Sequence, residues 1–513
     1  MRMGLALIFA VLGCGDAEIE HAPSGAPIPS QSSSISSALA SSAASSGALP
    51  KSTQERWGGR IEIPGNAPLM FELHFANDQP FAATIEIPAQ KLLRTDLKDV
   101  SLGGENMSFT LALPNGADST HARFSLQRVA GAGNASGTLK QHGGTMQVSM
   151  KRLEGNEALR DDSHPQTPLP PFPYLEREAS YTSKDGTKLS GTLTLPKSAG
   201  KHPAVLLITG TGEQDRDETL SGHKLFLVIA DHLTRAGIAV LRVDDRGVGG
   251  SGGSTSNTGF DGKVEDILAG MSWLASQSDI DADRIGLLGH SEGGILAPIA
   301  AVKSAPPAPK VAFMVLLAGT GVKGTVLLTK QMDATLRAQQ VSAERLAVGN
   351  AGQKKVLDAV AAGANDEALR KIVTGQVDAI LKLVGGPPPS DAIKQGMVDS
   401  AMLQVASPAM RDFIKSNPAP TLEKVNCPVL ALGGSLDLQV PGEENVAAIR
   451  AALEKGKNPD IESHVFPGLN HLFQPAKLGT VEEWATSKTT IDKAVLEKLA
   501  SWMVKRAGVE KKP

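Results

Sequence analysis

The sequence predicts an α/β fold with a mostly parallel sheet and a helical cap insertion, preceded by a small all-β barrel or sandwich domain. Three observations predict this architecture. Short alternating runs separated by turn residues occupy residues 60–153, and strands alternate with helices from residue 174 onwards. A helix-rich stretch at 324–422 interrupts that alternation. A chain of 513 residues is long enough for two or more such domains.

Composition excludes several classes of function. The 51 Lys and Arg residues nearly balance the 54 Asp and Glu residues, so the formal net charge of −3 provides no overall field for nucleic acid. Aromatic residues make up only 4% of the chain, which disfavours stacking surfaces for bases or sugars. His74, His121 and His142 lack the spacing of metal ligands. We therefore expect no cofactor, metal or nucleic-acid partner, and function must come from local motifs.

The N-terminus resembles the signal sequence of a bacterial lipoprotein. Arg2 precedes an apolar run at 4–12 that is too short to span a bilayer stably, and residues 11–14 (VLGC) resemble a lipobox. The resemblance implies a signal peptide at 1–13 and a secreted chain attached to the bacterial cell envelope, in the periplasm or at the outer membrane, by a lipid on Cys14. An ordinary signal peptide cleaved elsewhere is the alternative. The Ser/Ala/Pro-rich residues 14–50 predict a disordered tether.

Residues 51–153 are predicted to form the all-β domain, because apolar and polar residues alternate there in short runs. The predicted strands are 60–63, 69–75, 82–87, 107–113, 122–127, 136–140 and 145–151. Turn-forming pairs separate them at 64–65, 77–78, 115–116 and 143–144. A linker at 154–173, rich in proline towards its end, closes the domain.

Residues 174–508 alternate between strands and helices, which is typical of a parallel sheet with crossover connections. The predicted strands are 176–183, 188–196, 204–209, 238–243, 284–289, 311–317, 428–432 and 461–466. The predicted helices are 225–235, 264–276, 295–302 and 491–506. Within this domain the helix-rich insertion at 324–422 is interrupted by the Gly-Pro run at 385–389. An insertion of this length usually forms a lid or cap over a functional site.

The pattern Gly-x-Ser-x-Gly occurs twice, at 249–253 and at 289–293. It marks a nucleophile only where a buried strand turns sharply into a helix. Ser291 has this setting, because an apolar run precedes it and another apolar run follows Gly294. Ser251 lies in a Gly/Ser-rich loop that no helix follows. The sequence therefore predicts Ser291 as the catalytic nucleophile.

A serine hydroxyl needs a general base at neutral pH, and in a strand–turn–helix site the acid and then the histidine follow the serine in the chain. Of the 11 histidines, only His464 and His471 lie beyond every candidate acid. His464 falls inside a predicted strand, whereas His471 follows that strand in a loop. His290 adjoins the nucleophile and is expected to be structural. We therefore predict His471 as the general base.

The predicted acid is Asp437, which stands just past the strand at 428–432. A buried aspartate there would hold the tautomer of His471 and stabilise the imidazolium that forms during the reaction. Glu443 and Glu444 are the alternatives, although both lie at the apparent start of a helix.

Two backbone N–H groups are predicted to form an oxyanion hole. One belongs to Glu292, the residue after the nucleophile, and the other to Thr211 in the glycine-rich loop at 209–212. The glycines in this loop permit the close approach of the backbone to the developing oxyanion.

Four segments together resemble a family of bacterial α/β-hydrolases. They are 208–217 (ITGTGEQDRD), 243–247 (VDDRG), 289–294 (GHSEGG) and 436–441 (LDLQVP). The family comprises carboxylesterases, serine-aminopeptidase-like and dienelactone-hydrolase-like proteins, and the resemblance covers roughly residues 174–508. It implies the α/β-hydrolase fold, with Ser291 as nucleophile, Asp437 as acid and His471 as base.

Other positions in these segments carry structural implications. The resemblance implies that Asp215, Arg216, Asp245 and Arg246 form an ion-pair network that holds the loops. Thr209 stands where many relatives of the wider fold carry a histidine before the glycine. The all-β domain itself, from near residues 57–59, resembles β domains that precede some bacterial secreted serine hydrolases.

Together these patterns predict hydrolysis of a small-molecule carboxylic ester through an acyl-enzyme on Ser291. Peptide or amide cleavage of the serine-aminopeptidase type is the alternative within the same chemistry. An alternative of another class is a non-catalytic binding protein of the envelope. It is disfavoured because all three triad positions carry competent residues.

Overall fold

The computed structural model describes residues 55–63, 69–75, 82–87, 92–112, 121–128, 133–141, 143–154, 164–384 and 389–509. These residues divide into two compact units, with the boundary between Pro165 and Gln166, inside the predicted linker. The predicted signal peptide, the tether, the lipidation site Cys14 and the turns at 64–65, 77–78 and 115–116 lie outside the described residues.

The described part of the N-terminal unit is one nine-stranded antiparallel sheet. Its strands are β1 (Glu55–Ile61), β2 (Leu69–Phe75), β3 (Ala83–Ile87), β4 (Leu92–Asp96), β5 (Lys98–Gly103), β6 (Asn106–Leu111), β7 (Ala122–Arg128), β8 (Asn134–Gln141) and β9 (Gly144–Leu153). They lie in the order β4-β3-β2-β1-β9-β8-β7-β6-β5. Consecutive strands from β1 to β4 and from β5 to β9 are therefore neighbours in the sheet. β1 also pairs with β9, and Arg56 lies opposite Leu153.

The two edge strands of this order, β4 and β5, are consecutive in the chain and separated only by Leu97. One residue advances the chain by about 3.8 Å and cannot cross the width of a flat sheet whose strands lie about 4.8 Å apart. The sheet must therefore curl until its edges meet. Leu97 is buried, and its N–H donates to the carbonyl of Ala83 at 2.9 Å. Of the barrel and the sandwich predicted from the sequence, the structure has a barrel-like sheet.

Buried and exposed side chains alternate along the strands, and the buried ones fill the inside of the barrel. In β7, Phe124 and Leu126 are buried while Arg123 and Ser125 are exposed, as the period of two requires. The ring of Phe124 stacks on Phe109 with a centroid separation of 4.5 Å. Such pairs form a core of large side chains that belongs to this unit alone.

The sequence prediction was wrong for part of this sheet. It placed the first strand at 60–63, whereas β1 begins at Glu55. The glycines at 58–59 lower the strand propensity of this segment. Gly59 is nevertheless needed here, because a Cβ at this position would lie 2.2 Å from Cζ of Phe71 and leave no room for that ring. The prediction also missed β4 and β5. The side chains of β5 are largely exposed, so it shows little apolar pattern.

The second unit is built on an eight-stranded mixed sheet, ordered β10-β11-β15-β12-β16-β17-β18-β19. Its strands are β10 (Leu175–Thr182), β11 (Lys188–Leu195), β12 (His202–Ile208), β15 (Ala239–Val243), β16 (Ile280–His290), β17 (Met314–Leu317), β18 (Val429–Gly434) and β19 (Ile461–Phe466). A separate two-stranded sheet pairs β13 (Thr219–Leu220) with β14 (His223–Lys224). β10 and β11 form an antiparallel hairpin, and β15, β12 and β16 to β19 run parallel. This is the α/β-hydrolase fold.

The helices of this unit flank the sheet or lie in the insertion. They are α1 (Leu225–Arg235), α2 (Phe260–Ala275), α3 (Gly293–Lys303), α4 (Gly324–Ala338), α5 (Ala343–Ala361), α6 (Asp366–Val384), α7 (Asp391–Val405), α8 (Pro408–Lys415), α9 (Ala419–Leu422), α10 (Gly442–Lys455), α11 (Val481–Thr486) and α12 (Lys493–Arg506). Among the residues described, no helix is both long and apolar enough to cross a membrane.

Helix α2 begins four residues before the predicted start at 264. The backbone N–H of Phe260 donates to Oδ2 of Asp412 at 2.8 Å, so a carboxylate from α8 satisfies one of the free donors at this N-terminus. A cap that comes from the insertion cannot be read from the local sequence.

The helical insertion comprises α4 to α9, between β17 and β18. These two strands are hydrogen-bonded neighbours, with Leu317 opposite Leu432. The chain therefore leaves the sheet at the carboxyl end of β17, forms the helices, and returns to the adjacent position. The backbone N–H of Ser291 donates to the carbonyl of Leu317 at 3.0 Å, which places the start of the insertion beside the predicted nucleophile.

Candidate active site

Ser291 is the first residue of a two-residue turn between a buried strand and a helix. Strand β16 ends at His290 and helix α3 begins at Gly293. The φ angle of Ser291 is +53°, in the left-handed region that non-glycine residues seldom adopt. A strained serine between a strand and a helix is the geometry of a nucleophile elbow.

Two glycines of the motif make this turn possible by close backbone contact. A Cβ on Gly289 would lie 2.0 Å from the carbonyl oxygen of Gly293, and a Cβ on Gly293 would lie 2.3 Å from that of Ile208. Neither neighbour is a flexible side chain, so a larger residue would force the backbone to move. The spacing of glycines in 289–293 is therefore a packing requirement of the elbow.

Ser251, in the second copy of the motif, is held in a structural role. Its Oγ donates to the carbonyl of Asp244 at 2.7 Å and accepts the N–H of Ser190 at 2.9 Å. Ser251 is 8% exposed and lies in the loop between β15 and α2, where it contacts Ser190 of β11. A hydroxyl committed to two backbone groups is not free to attack a substrate.

Asp437 and His471 come together at the same edge of the sheet. Asp437 follows β18 and His471 follows β19, and Nδ1 of His471 lies 2.8 Å from Oδ2 of Asp437. Oδ1 of Asp437 accepts the N–H groups of Gln439 and Val440, each at 2.8 Å. Both side chains are buried. The carboxylate is thus oriented by its own turn and can in turn orient the imidazole.

The structure places His471 beside the elbow without bonding it to Ser291. The ring of His471 lies 4.8 Å from that of His290, the residue before the serine. Nε2 of His471 is buried and, among the residues described, has no hydrogen-bond partner, so Oγ of Ser291 does not reach it. Catalytic hydrogen bonds often tighten only when substrate binds. The nitrogen that a general base uses is therefore available.

The alternative candidates lie elsewhere. His464 is exposed on β19, where its ring packs edge-on against Phe466 at 4.5 Å. Glu443 and Glu444 lie in the first turn of α10, and Glu444 pairs with Lys330 at 2.6 Å in an exposed ion pair. In the described part of the chain none of the three forms a hydrogen bond or ion pair with His471, whereas Asp437 does.

In the predicted oxyanion loop, the residue before Thr211 already uses its backbone N–H. The backbone N–H of Gly210 donates to Oε1 of Glu218 at 2.7 Å and is therefore occupied. The carbonyl of Thr211 accepts from Nε2 of Gln214, which fixes the peptide that follows Thr211. Glu292 stands directly before α3, where the free N–H groups of a helix N-terminus favour negative charge. These positions are compatible with the predicted pair of donors, Glu292 and Thr211.

The arginines of the motif segments form ion pairs, as the resemblance implied. Arg216 binds Asp244 through Nη2 at 2.8 Å, and Arg246 binds Asp266 through Nη2 at 2.6 Å. The first pair joins the loop after β12 to the loop after β15, and the second joins the loop after β15 to helix α2.

The acidic residues of the same segments do not follow that expectation. Asp215 accepts the hydroxyl and the N–H of Thr219 and caps its own loop. Asp245 accepts the hydroxyl of Thr209 at 2.8 Å and the N–H of Gln214 at 3.0 Å. In the described part of the chain neither acid pairs with Arg216 or Arg246, so the predicted network of these four residues is wrong for the two acids. Thr209, at the position where relatives carry histidine, ties the oxyanion loop to Asp245.

Asp245 lies in a buried charged cluster with Lys263 and Glu292, the residue after the nucleophile. Nζ of Lys263 lies 2.5 Å from Oε1 of Glu292, whose side chain is 1% exposed. With Asp245, the two residues line a cavity of about 70 Å³. Burial raises the pKa of Asp245 to about 7, although Lys263 opposes the shift. Burial lowers the pKa of Lys263, but the carboxylates of Glu292 and Asp245 outweigh it and hold that pKa above its ordinary value.

We expect Lys263→Met to lower the free energy of unfolding by about 3 kcal/mol at pH 8, because it leaves Asp245 and Glu292 buried without their cation. Without the lysine, the pKa of Asp245 rises further above its unfolded value, so the loss grows as the pH rises and shrinks towards pH 5. Denaturant unfolding at both pH values measures it. Lys330→Met, which breaks an exposed pair, should cost under about 1 kcal/mol at either pH. A loss independent of pH would contradict the charge argument.

Sequence reasoning missed Glu218 and Lys263, and it assigned His290 no contact with the general base. Glu218 is fully buried and binds Nδ1 of His290 at 2.9 Å, and Nε2 of His290 lies 3.2 Å from the carbonyl of His471. Glu218 directly follows the motif segment 208–217, and this position was the one feature of the sequence that could have indicated its role. The partners of Lys263 are distant in the chain and left no pattern.

Comparison with known proteins gives a family and several relatives. Residues 185–468 match the sequence profile described as X-Pro dipeptidyl-peptidase (S15 family), a span of more than half of the chain that includes Ser291 and Asp437 and ends just before His471. Esterase EstD of Thermotoga maritima is 27% identical over 334 residues, which cover 65% of this chain and 69% of that protein. The uncharacterized protein Rv2307c of Mycobacterium tuberculosis is 34% identical over 132 residues, 26% of this chain and 43% of that protein.

Solved structures show a weaker likeness. Pyrococcus furiosus esterase Pf2001 superposes with a TM-score of 0.38 and 17% identity, covering 69% of this chain and 95% of that one. Est1E of Butyrivibrio proteoclasticus gives a TM-score of 0.36 and 16% identity, covering 64% and 99%.

Proposed function

Within the S15 family of X-Pro dipeptidyl-peptidases, to which this chain belongs, we propose that it acts as a serine hydrolase of carboxylic esters with Ser291 as nucleophile. The observation that carries the proposal is the buried Asp437–His471 pair, 2.8 Å apart, at the sheet edge that also bears the strained serine. A hydrogen-bonded acid and imidazole beside a serine at an elbow make up the machinery of acyl transfer.

In the proposed reaction Oγ of Ser291 attacks the acyl carbon while Nε2 of His471 takes its proton. The oxyanion that forms is stabilised by the backbone N–H groups of Glu292 and Thr211. His471 then protonates the leaving alcohol, and the acyl group stays on the serine. Water attacks this acyl-enzyme with His471 again as base, which releases the acid. Asp437 remains ionised and holds the imidazole throughout.

Two features favour esters over peptides as substrates. EstD, an esterase, aligns over about two thirds of both chains. A peptidase that selects a free N-terminus needs a carboxylate to bind the ammonium group, and two buried carboxylates beside the elbow are already bound to other groups. Glu218 binds His290, and Glu292 binds Lys263. Membership of a family of X-Pro dipeptidyl-peptidases makes peptide cleavage the second candidate, which the same assay tests.

We expect p-nitrophenyl butyrate to be hydrolysed with a kcat/KM at least about 100-fold above that of p-nitrobutyranilide, which differs only in the leaving atom. This is a conservative margin for a site that was not built to protonate an amine. Ala-Pro-p-nitroanilide tests the specificity that the family name describes. Cleavage of either anilide at a rate equal to the ester would overturn the ester assignment in favour of a peptidase.

A non-catalytic binding protein remains the alternative of another class, and a fluorophosphonate probe separates it from both enzymes. The probe should attach to Ser291 in the intact chain. Absence of labelling would contradict catalysis by this serine. Attachment of the chain to the cell envelope through Cys14 stays a prediction from the sequence.

A further inference from the structure

The residue before the nucleophile takes part in a buried ion pair. His290 is 1% exposed and Glu218 is fully buried, and Nδ1 of His290 lies 2.9 Å from Oε1 of Glu218. The same oxygen accepts the backbone N–H of Gly210 at 2.7 Å. One carboxylate oxygen therefore holds both the strand end that carries the nucleophile and the loop that carries Thr211.

The other nitrogen of His290 reaches the general base. Nε2 lies 3.2 Å from the backbone carbonyl of His471, a group that can only accept a hydrogen bond. Since Oε1 of Glu218 also acts as an acceptor, both ring nitrogens must donate, and His290 is an imidazolium. Burial lowers its pKa, but the charge of Glu218 and the hydrogen bonds outweigh burial and raise it. The imidazolium thus completes a bridge from Gly210 to His471.

The backbone of Glu218 indicates a functional reason for this arrangement. Its φ angle is +46°, a strained value for a residue with a side chain, and its Oε2 has no hydrogen-bond partner among the residues described. Strain and a half-satisfied buried carboxylate both oppose folding. Such features persist where they serve a site rather than stability.

We propose that the Glu218–His290 ion pair is the positioning device of this active site, which fixes the oxyanion loop and the general-base loop relative to Ser291. The inference rests on the proposed function, since it assigns a role within the same reaction. Neither residue touches the reacting atoms. Their action is to keep Thr211 and His471 within the narrow tolerance that acyl transfer requires.

The decisive variant is Glu218→Gln, which keeps the size of the side chain and an acceptor oxygen but removes the charge. Without that charge His290 becomes neutral, so it retains one N–H and can no longer donate to both neighbours. We expect kcat to fall about 10- to 100-fold with KM changed less than threefold, and fluorophosphonate labelling of Ser291 to slow to a similar extent. Glu218→Asp, which restores the charge, should recover part of the loss.

The matched control breaks a different ion pair of the same unit. Asp460 precedes β19, at the opposite end of that strand from His471, and binds Arg506 at 2.8 Å. Asp460→Asn should lower the unfolding midpoint without changing kcat per folded molecule. His290→Asn serves as the second variant, with kcat expected to fall at least as far as in Glu218→Gln.

A wild-type kcat in Glu218→Gln, or a loss accounted for by a smaller folded fraction, would overturn the inference and leave the pair a purely structural one. Failure of the proposed function is distinguishable, because it would appear as activity retained in Ser291→Ala.

Discussion

Replacement of Ser291 with alanine is expected to lower kcat for ester hydrolysis by about 10⁶-fold, the largest effect that any single side chain of this site should have. The variant removes the attacking oxygen while the oxyanion donors and the Asp437–His471 pair stay in place. The residual rate should still exceed that of the reaction in water by about 10³-fold. Steady-state hydrolysis and the mass of the fluorophosphonate adduct measure the change.

Ser251→Ala is the control, because Ser251 has the same five-residue motif. Its hydroxyl links Asp244 to Ser190, so its loss should cost about 1 kcal/mol of stability and leave kcat within about threefold. If activity instead survives in Ser291→Ala and disappears in Ser251→Ala, the assignment of the nucleophile is wrong.

Asp437→Asn is expected to lower kcat by about 10⁴-fold with little change in structure. The amide oxygen can still accept the N–H groups of Gln439 and Val440, which leaves the NH₂ group facing Nδ1 of His471. Nδ1 must then accept that hydrogen bond, so the ring proton moves to Nε2. In this tautomer His471 cannot take the proton of Ser291. Activity assays combined with circular dichroism separate the chemical loss from unfolding.

Glu444→Gln is the matched carboxylate control. Glu444 was an alternative acid, and it lies in an exposed pair with Lys330, so its neutralisation should leave kcat unchanged. A loss in Asp437→Asn of less than tenfold, together with a large loss in Glu444→Gln, would transfer the role of the acid to α10.

The parts of the fold that the sequence predicted well are those specified by short-range patterns. Helix α1 was predicted with both ends in place, because its apolar face is periodic and Gly237, with a φ of +95°, ends it in the way that glycine commonly does. The elbow was predictable because the strand, the turn and the helix are consecutive. The order of acid and histidine after the serine left His464 and His471 as candidate bases, and position just past a strand then favoured Asp437 and His471.

The parts that could not be predicted depend on contacts between distant segments. The start of α2 depends on Asp412, and the polar strand β5 is specified by its neighbours in the sheet rather than by its own pattern. The same holds for the site. Glu218 and His290 are 72 residues apart, and neither shows in the chain that the other is its partner. Sequence reasoning therefore named the candidate triad but not the residues that hold it in place.

The pairing of β1 with β9 also has a mechanical consequence. The chain enters the barrel at Glu55 and leaves it at Leu153, and these two points lie at the same end of one antiparallel ladder. A pulling force applied through the two flanking segments would therefore load the hydrogen bonds of this ladder one after another, like a zipper, instead of shearing them all at once. The seam between β1 and β9 is where the barrel should yield first under tension.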